Sequence, residues 1–220
     1  MPLRESKGNM YGFVSHTFNT IKGKCEHDCA YCYMKRWGGF KSVRFDEKET
    51  RLNLGCGKCI FVGSSNDMFA SSIPEEWVIK TLNHLNRFDN SYLFQSKNPA
   101  GINKFSHLLP KKSTICTTIE TNRLYPEWMG KTPEPGARAE AMDRLNKLTR
   151  YVTIEPVLDF DIIPLVEMIK RCEPVQVNVG ADSGKHGMPE PSSKKLLELI
   201  DKLGRFTKVE NKTNLSRLLN

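Results

Sequence analysis

Short runs of β-branched and aromatic residues alternate along this chain with longer segments that are apolar on one face. The runs favour β-strands, and they lie at residues 11–17, 59–63, 91–95, 113–120, 151–155 and 175–180. The segments between them repeat their apolar residues at helical spacing, at residues 74–87, 137–148, 162–169 and 192–203. Pro74 suits a first helical turn and Ser192 suits an N-cap, as expected where helices begin. The alternation predicts parallel βαβ units with right-handed crossovers.

The order of these elements predicts one α/β domain over residues 1–220. No repeat, low-complexity tract or Pro/Gly linker divides the sequence, and a chain of this length suits a single core. An open doubly wound sheet and a barrel or partial barrel both fit the alternation. In either fold, we expect the functional groups in loops at the carboxyl ends of the strands.

The composition adds a positive charge that is unevenly spread. The chain has 33 Lys and Arg against 25 Asp and Glu, a formal net charge of +8. Residues 1–58 hold eleven of the basic residues and six of the acidic ones, so +5 of the net charge lies in the first quarter. This charge favours an anionic partner, a nucleic acid or a phosphorylated substrate, through long-range attraction. A solubilising surface would carry the same charge.

Membrane insertion and export are not expected for this sequence. No apolar stretch approaches the roughly 20 residues of a membrane-spanning helix, and residues 1–7 lack the apolar segment of a secretory signal. The chain has seven cysteines, an odd number that argues against a disulfide framework. The sequence therefore predicts a cytoplasmic protein without a membrane partner.

Three cysteines form a compact motif after the first predicted strand. Cys25, Cys29 and Cys32 have the spacing Cys-x3-Cys-x2-Cys, in a loop at 19–36 that leads into a short helical segment. Three thiolates leave a tetrahedral zinc site one ligand short. They match three corners of a [4Fe–4S] cluster, whose fourth iron is then free to bind a small chelating molecule.

The remaining cysteines bear on the choice between iron–sulfur and zinc. The pair Cys56 and Cys59, or His27 within the motif, could complete a zinc site, and the pair could also belong to an auxiliary cluster. Cys116 lies in the middle of a predicted strand and is expected in the core, and Cys172 is expected to be structural.

The motif resembles that of the radical S-adenosylmethionine (SAM) superfamily, with the aromatic residue Tyr31 directly before the third cysteine. The resemblance covers most of the chain, because six βα units make up the superfamily's core. It implies a partial (β/α)6 TIM-like barrel. Within the superfamily, the stretches at 61–69, 95–99, 153–158 and 179–184 are similar to a compact phage-associated and prokaryotic group and, more loosely, to the spore photoproduct lyases.

The resemblance implies a [4Fe–4S] cluster on Cys25, Cys29 and Cys32, with SAM chelated at the open iron. One electron from an external donor, flavodoxin-like or ferredoxin-like, would split SAM into methionine and a 5′-deoxyadenosyl radical. That radical abstracts hydrogen from a substrate. The charge and the likeness to the spore photoproduct lyases favour a nucleic acid or a nucleotide, and a peptide or a small metabolite stays open. The alternative is a zinc-stabilised, basic nucleic-acid-binding module without catalysis.

The resemblance also implies residues that bind SAM near the second strand. Gly63, Ser64, Ser65 and Asp67 stand where the superfamily has a motif that binds the SAM ammonium group, although the motif is degenerate in this chain. Tyr31 is expected beside the cofactor. An ordinary turn capped by Asp67 is the structural alternative.

Candidates for binding and catalysis also follow the later strands. Lys97 is expected to pair with the cofactor's carboxylate or a substrate phosphate, and Glu155 to act at the substrate. Glu120 or Asn122 is expected at the ribose hydroxyls, and Gly180 against the adenine. The structural alternatives are a solvated lysine, capping side chains and a glycine-rich strand exit.

An aromatic and basic stretch follows the cysteine motif. It contains Tyr33, Trp37 and Phe40, interleaved with Lys35, Arg36 and Lys41. Such a stretch can stack on and clamp a nucleic-acid strand, or it can be the first helix that covers the barrel.

Overall fold

The computed structural model describes residues 3–6, 11–38 and 41–220. Its strands are β1 (Arg4–Glu5), β2 (His16–Phe18), β3 (Ile21–Lys22), β4 (Arg44–Phe45), β5 (Cys59–Val62), β6 (Ser91–Ser96), β7 (Ser113–Thr118), β8 (Thr149–Ile154), β9 (Gln176–Val179) and β10 (Lys208–Asn211). The main sheet has the order β1-β2-β5-β6-β7-β8-β9-β10, and β3 pairs with β4 separately. All neighbours in the main sheet are parallel except β1 and β2. The strands follow one another in chain order, which is the winding of a barrel and not of a doubly wound sheet; the predicted partial barrel is confirmed.

Helices cover the outside of this sheet. They are α1 (Glu75–Leu85), α2 (Pro99–Lys104), α3 (Pro126–Met129), α4 (Pro135–Asp143), α5 (Ile162–Arg171), α6 (Ser193–Gly204) and α7 (Ser216–Leu219), with 3-10 turns at Tyr33–Trp37, Glu49–Arg51, Ser106–Leu108 and Thr213–Leu215. The four predicted helices correspond to α1, α4, α5 and α6. Ser192 caps α6 as predicted, since its Oγ accepts from the backbone N–H of Lys195 at 3.3 Å. No helix in the described part of the chain combines the length and apolar character needed to cross a bilayer.

Two strands differ from the sequence prediction. The stretch at 11–17 is predicted as one strand, but only its last residues pair with neighbouring strands, as part of β2. Tyr11 and Val14 are instead buried in a turn, in which the backbone N–H of Val14 donates to the carbonyl oxygen of Tyr11 at 2.9 Å. The sequence does not predict β10, because Lys208–Asn211 has a single apolar residue and lies mostly exposed at the sheet edge. With β10 the main sheet has seven parallel strands where six were predicted.

The two faces of the sheet differ in polarity. The outer face packs its apolar side chains, Phe94 and Ile115 among them, against the helices in the main core. The inner face is apolar at its base, where Tyr11, Leu93 and Cys116 pack together. Nearer the carboxyl ends, the inner face turns polar. Its polar side chains there are Thr118, Thr153 and Asn178, which are in register on β7, β8 and β9, and Gln95, whose Nε2 donates to Thr118 Oγ1 at 3.1 Å.

Candidate active site

A cavity of about 190 Å³ opens at the carboxyl ends of β5, β6 and β7. Eight of the residues singled out from the sequence line it, namely Cys25, Cys29, Cys32, Gly63, Ser64, Ser65, Asp67 and Lys97. The other five, Tyr31, Glu120, Asn122, Glu155 and Gly180, lie outside its lining. The structure therefore brings the cysteine motif together with the ends of the second and third predicted strands.

The loop that carries the cysteines is held by distant parts of the chain. The ring of His27 bonds to Asp67, with Nε2 and Oδ2 2.8 Å apart. The backbone N–H of Lys131 donates to the carbonyl oxygen of His27 at 2.7 Å, and the N–H of Ala30 donates to that of Trp128 at 2.9 Å. These bonds fix the loop to the end of β5 and to the region of α3.

The three motif cysteines present thiols to the cavity. Cys29 is buried, Cys25 and Cys32 are partly buried, and all three are free. Burial raises the pKa of Cys25 to about 11 and also raises the pKa of Cys32, so both carry protons that a metal must displace. Among the described residues, no three His, Cys, Asp or Glu side chains are close enough together to hold a single metal ion. Three thiols on one cavity wall are the donor set that three corners of a [4Fe–4S] cluster require.

A tight turn after β5 forms another wall of the cavity. Gly63 has a φ of 79°, in the left-handed region that favours glycine. The side chain of Asn19 holds the two serines that follow, by bonds of 3.0 Å to Ser64 Oγ and to the backbone N–H of Ser65. The turn therefore presents backbone and short polar side chains to the cavity.

Three buried polar atoms on residues that line the cavity have no hydrogen-bond partner among the described residues. They are Nδ1 of His27, Oγ of Ser65 and Oδ1 of Asn66. Each such atom costs about 1–3 kcal/mol while it lacks a partner, so a ligand that bonds to them stabilises the protein. Asn66 was not singled out from the sequence, although its place inside the degenerate motif at 63–67 marks it.

Asp67 joins the ends of two strands to the cysteine loop. Its carboxylate accepts from Ser96 Oγ at 2.8 Å, from the backbone N–H of Lys97 at 2.8 Å and from that of Phe69 at 3.1 Å, besides the bond to His27. Burial alone would raise the pKa of Asp67, but these donors lower it overall. The bonds of Asp67 are thus those of a side chain that caps a turn, as in the structural alternative. Contact between Asp67 and a SAM ammonium group stays a prediction.

A buried quartet of Tyr31, Lys97, Glu120 and Arg138 lies behind the cavity. Glu120 and Arg138 have no exposed side-chain surface. Glu120 Oε1 is 2.5 Å from Lys97 Nζ and also accepts from the hydroxyl of Tyr31. Glu120 Oε2 is 2.8 Å from Arg138 Nη1, which also donates to the carbonyl oxygen of Thr118 at 2.5 Å.

The quartet carries a net positive charge. Burial would raise the pKa of Glu120, but Arg138 and Lys97 lower it to about 2. Burial would lower the pKa of Lys97, but Cys29 and Glu120 raise it overall. Two cations and one carboxylate therefore leave a charge of +1 beside the cysteine loop.

Arg138 is a member of the quartet that was not singled out from the sequence. It lies in α4 on the same helical face as Ala141, Met142 and Leu145, a face that is otherwise apolar. An arginine at such a position is expected either to reach solvent or to find a buried partner. A charged residue on an otherwise apolar helical face is therefore the sequence signal by which Arg138 could have been identified.

Asn122 lies on the surface, away from the cavity. Its side chain bonds to Asp161, accepting from the backbone N–H at 2.7 Å and donating to Oδ2 at 3.1 Å. Arg123 also pairs with Asp161, and with Asp159. Asn122 therefore holds a surface loop in this structure, as in the capping alternative.

Glu155 and Gly180 lie together on the other side of the barrel mouth. A Cβ on Gly180 would come within 2.7 Å of the Glu155 carboxyl carbon, so the glycine makes room for that side chain. Glu155 accepts from Asn214 Nδ2 at 3.0 Å and lies 3.5 Å from Lys212 Nζ. Glu155 thus follows the carboxyl end of β8, and its action at a substrate stays a prediction.

The Cys56–Cys59 pair is too far from the motif to complete its metal site. Cys59 begins β5, whereas Gly63 at the cavity follows its end. Four strand residues span about 13 Å. The zinc site that combines both cysteine groups is therefore wrong for this fold.

The stretch after the motif forms the 3-10 turn Tyr33–Trp37 and not a covering helix. Tyr33 lines the cavity, is 46% exposed, and donates from its hydroxyl to the carbonyl oxygen of Ser64. The guanidinium of Arg36 lies 5.8 Å from the centre of its ring. Phe40 lies outside the described residues.

Comparison with known proteins finds similarity in structure and not in sequence. No family model and no curated protein matches the chain. A variant of spore photoproduct lyase matches with a TM-score of 0.68 and 12% identity, over 96% of this chain and 78% of that one. Methylornithine synthase (PylB) has a TM-score of 0.56 and 14% identity, over 88% and 63%. Streptococcus suis SuiB bound to precursor peptide SuiA has a TM-score of 0.58 and 10% identity, over 89% and 48%.

These neighbours are radical SAM enzymes. At such low identity the likeness shows the fold, so the chain has the partial TIM barrel of that superfamily. Another structure of spore photoproduct lyase, with a TM-score of 0.61 and 9% identity over 90% of this chain and 64% of that one, contains AdoMet and dinucleoside spore photoproduct.

Proposed function

We propose that this chain is a radical SAM enzyme that holds one [4Fe–4S] cluster on Cys25, Cys29 and Cys32. The proposal rests on one observation: the three cysteines line a single cavity at the carboxyl end of a barrel with the radical SAM fold. When bound, the cluster and SAM would supply one-electron cleavage of SAM and a 5′-deoxyadenosyl radical that abstracts hydrogen from the substrate. The residues of the chain would bind and orient SAM and the substrate, and they would exclude water.

The unpartnered atoms and the quartet suggest how SAM would be oriented. Oδ1 of Asn66 and Oγ of Ser65 are buried acceptors suited to an ammonium group. Lys97 lines the same cavity with its ammonium group held by Glu120, and it suits a carboxylate. The ammonium end of the methionine part of SAM would thus meet hydrogen-bond acceptors, and its carboxylate end would meet the positive charge of Lys97. The quartet would also attract the negative charge of a thiolate-bound cluster.

The polar upper part of the inner face would receive the substrate. Gln95 and Thr118 line the cavity, and Thr153 and Asn178 continue the polar surface towards Glu155. A nucleic acid or nucleotide fits the net charge of +8, and the relative with a bound dinucleoside supports the same class. The peptide of SuiB is the substrate class that this proposal sets aside.

The electron would come from a separate flavodoxin-like or ferredoxin-like donor. The cysteine loop carries Lys24 and Lys35 at its surface, each paired with Asp28, at 3.4 and 2.9 Å. A basic rim beside the cluster suits docking of an acidic donor. The seven cysteines are all free, which is consistent with a reducing compartment such as the cytoplasm.

Anaerobic reconstitution with iron and sulfide tests the cofactor assignment. We expect a brown protein that forms 5′-deoxyadenosine from SAM when dithionite is added. The variant with Cys25, Cys29 and Cys32 all changed to Ala should lose both properties. The matched control, Cys56→Ala with Cys59→Ala, should keep them, because that pair lies at the other end of β5.

Two results would overturn the assignment. One is 5′-deoxyadenosine formation by the triple variant. The other is a colourless protein that contains zinc as isolated and binds DNA or RNA with steep salt dependence, which would establish the zinc module instead.

The substrate class has its own experiment. Deuterated oligonucleotides, nucleotides and peptides are incubated with the reduced enzyme and SAM, and the 5′-deoxyadenosine formed is analysed for deuterium. Transfer of deuterium from a nucleotide or oligonucleotide is expected. Transfer from a peptide alone would contradict the nucleic-acid assignment without affecting the cofactor assignment.

A further inference from the structure

A second cavity, of about 430 Å³, lies on the outer wall of the barrel. It lies between the second half of α1 and the 3-10 turn Glu49–Arg51. We call it the α1 groove, and its lining includes Phe45, Glu47, Arg51, Lys80, His84 and Arg87. No residue that lines the α1 groove also lines the candidate active site.

The α1 groove carries an excess of positive charge. Arg51, Lys80 and Arg87 face one carboxylate, Glu47, whose oxygen is 3.9 Å from Lys80 Nζ. Neither arginine has an ion pair with a carboxylate among the described residues. Two exposed guanidinium groups on one concave surface match the geometry of a phosphate, which accepts two parallel N–H bonds from each.

His84 supplies a second and independent observation. It is 4% exposed and lines the α1 groove, and neither ring nitrogen makes a hydrogen bond of normal geometry. Its ring is fixed by stacking on Phe18, with centroids 5.6 Å apart, and by the edge contact with Phe88 at 5.2 Å. The backbone of Leu52 lies close enough to favour the protonated ring, but burial and Arg87 lower the pKa of His84 overall. The lowered pKa favours the neutral ring, whose one N–H has no well-aligned acceptor among the described residues.

We propose that the α1 groove is a binding site for a phosphate group, contacted by Arg51, Arg87 and His84. A phosphate oxygen would accept the unpartnered N–H of His84, and the two guanidinium groups would bind the remaining oxygens. Lys80 adds charge from its position 5.7 Å over the ring of Phe45. Inorganic phosphate, a nucleotide and the backbone of a nucleic acid all offer this group. The proposal does not rest on the cofactor chemistry of the barrel mouth.

Nuclear magnetic resonance of the histidine rings tests this directly. The protein is labelled with ¹⁵N-histidine, and the ring nitrogens of His84 are followed while inorganic phosphate, AMP or a ten-residue oligothymidylate is added. Saturable shifts of the His84 signals are expected. Similar affinity for all three shows a site that reads phosphate alone, and clearly tighter binding of the oligonucleotide identifies a nucleic-acid backbone.

Variants separate this site from general surface charge. Arg51→Gln with Arg87→Gln should weaken binding at least tenfold, and both residues are exposed, so the fold should be kept. Arg171→Gln, at the end of α5, is the matched control and should bind like the parent protein. The proposal is wrong if no probe shifts the His84 signals, or if the double variant binds as tightly as the control.

Discussion

Glu120 is a buried carboxylate shared by two cations, Lys97 and Arg138. In a medium that solvates charges poorly, such a group is tolerated only while its partners remain. Arg138 is the more dependent member, because its Nε and Nη2 have no hydrogen-bond partner among the described residues. At the scale of single residues, therefore, stability near the cavity depends on this pairing.

Removal of one partner should reveal the dependence. Arg138→Met leaves Glu120 with one cation and should lower the free energy of unfolding by about 3–5 kcal/mol. The double variant Arg138→Met with Glu120→Gln removes the uncompensated charge and should recover most of the loss. Urea denaturation measures both, and a single variant as stable as the parent would contradict the pairing.

The same carboxylate should make stability depend on pH. The pKa of Glu120 is lowered in the folded protein to about 2 from an ordinary value of 4.5, so its contribution is present above pH 4.5 and is lost as the pH falls towards 2. The contribution is about 3 kcal/mol. The parent protein should therefore lose stability more steeply than the double variant Arg138→Met with Glu120→Gln between pH 4.5 and 2. Equal slopes in urea denaturation would show that Glu120 is not held in this way.

Lys97 can be tested for ligand binding in a variant whose fold is first checked by circular dichroism. Lys97→Met leaves Glu120 paired with Arg138, and it should weaken SAM binding about tenfold, as expected for a lost charge-assisted bond. Calorimetric titration of reconstituted protein measures the affinity. Lys104→Met, at an exposed pair with Glu75, is the control. Unchanged affinity in Lys97→Met would exclude the proposed carboxylate contact.

At the scale of elements, the sequence predicts best the helices and strands whose apolar residues follow a regular pattern. The helices α1, α4, α5 and α6 follow from apolar residues that repeat at helical spacing, and the central strands from β-branched runs. The predicted strand at 11–17 is mostly wrong. Tyr11 and Val14 are apolar because they fill the base of the barrel, and not because they lie in a strand. The edge strand β10 was missed because it packs few side chains and therefore has no apolar pattern.

The candidate site was predictable where residue type and strand position agree. The cysteines, Gly63 and Lys97 carry local signals, in spacing or in position after a strand. Arg138 comes from a helix and reaches Glu120 across a tertiary contact that no local pattern contains. Asn122 and Glu120 are two residues apart in sequence, yet one lies on the surface and the other is fully buried, because the chain turns away from the barrel after β7.

The junction between the cysteine loop and the strand ends leads to a prediction for Asp67. Asp67→Asn weakens acceptance from His27, Ser96 and two backbone N–H groups, so the loop should be held less firmly. We expect iron to be removed by a chelator several times faster than from the parent protein after reconstitution. Ser216→Ala, which removes an exposed bond to the carbonyl oxygen of Thr213 outside the cysteine loop, is the control. Equal rates in the two variants would show that Asp67 does not hold the loop.

At the scale of the whole molecule, the barrel is open and its edges are protected. The outer strands are β1, with two residues, and β10, whose Lys208 and Glu210 are charged. Short and charged edge strands resist pairing with other sheets. Asn214, which follows β10, bonds to Glu155 and to the carbonyl oxygen of Ala181 at 2.7 Å, and so holds this edge to the mouth.

A truncated chain tests the role of this edge. A protein that ends at residue 207 lacks β10 and exposes β9, whose four residues are all buried in the full chain. It should aggregate, as size-exclusion chromatography would show, because an unprotected edge strand is a site for intermolecular pairing. A charge-conserving variant, Lys208→Arg with Glu210→Asp, keeps β10 and its charges and should elute like the parent protein. A soluble, monomeric truncated protein would contradict this role.

The anchors of the cysteine loop have a consequence for how the protein is made. Trp128 and Lys131, whose backbone groups fix the loop, leave the ribosome about 100 residues after Cys25 to Cys32. At about 5–20 residues per second, that interval lasts about 5–20 s. The nascent chain therefore exposes three thiols well before the cavity exists, and metal delivered in that interval would meet an unformed site. The cluster proposed above would therefore be loaded only after synthesis has passed α3.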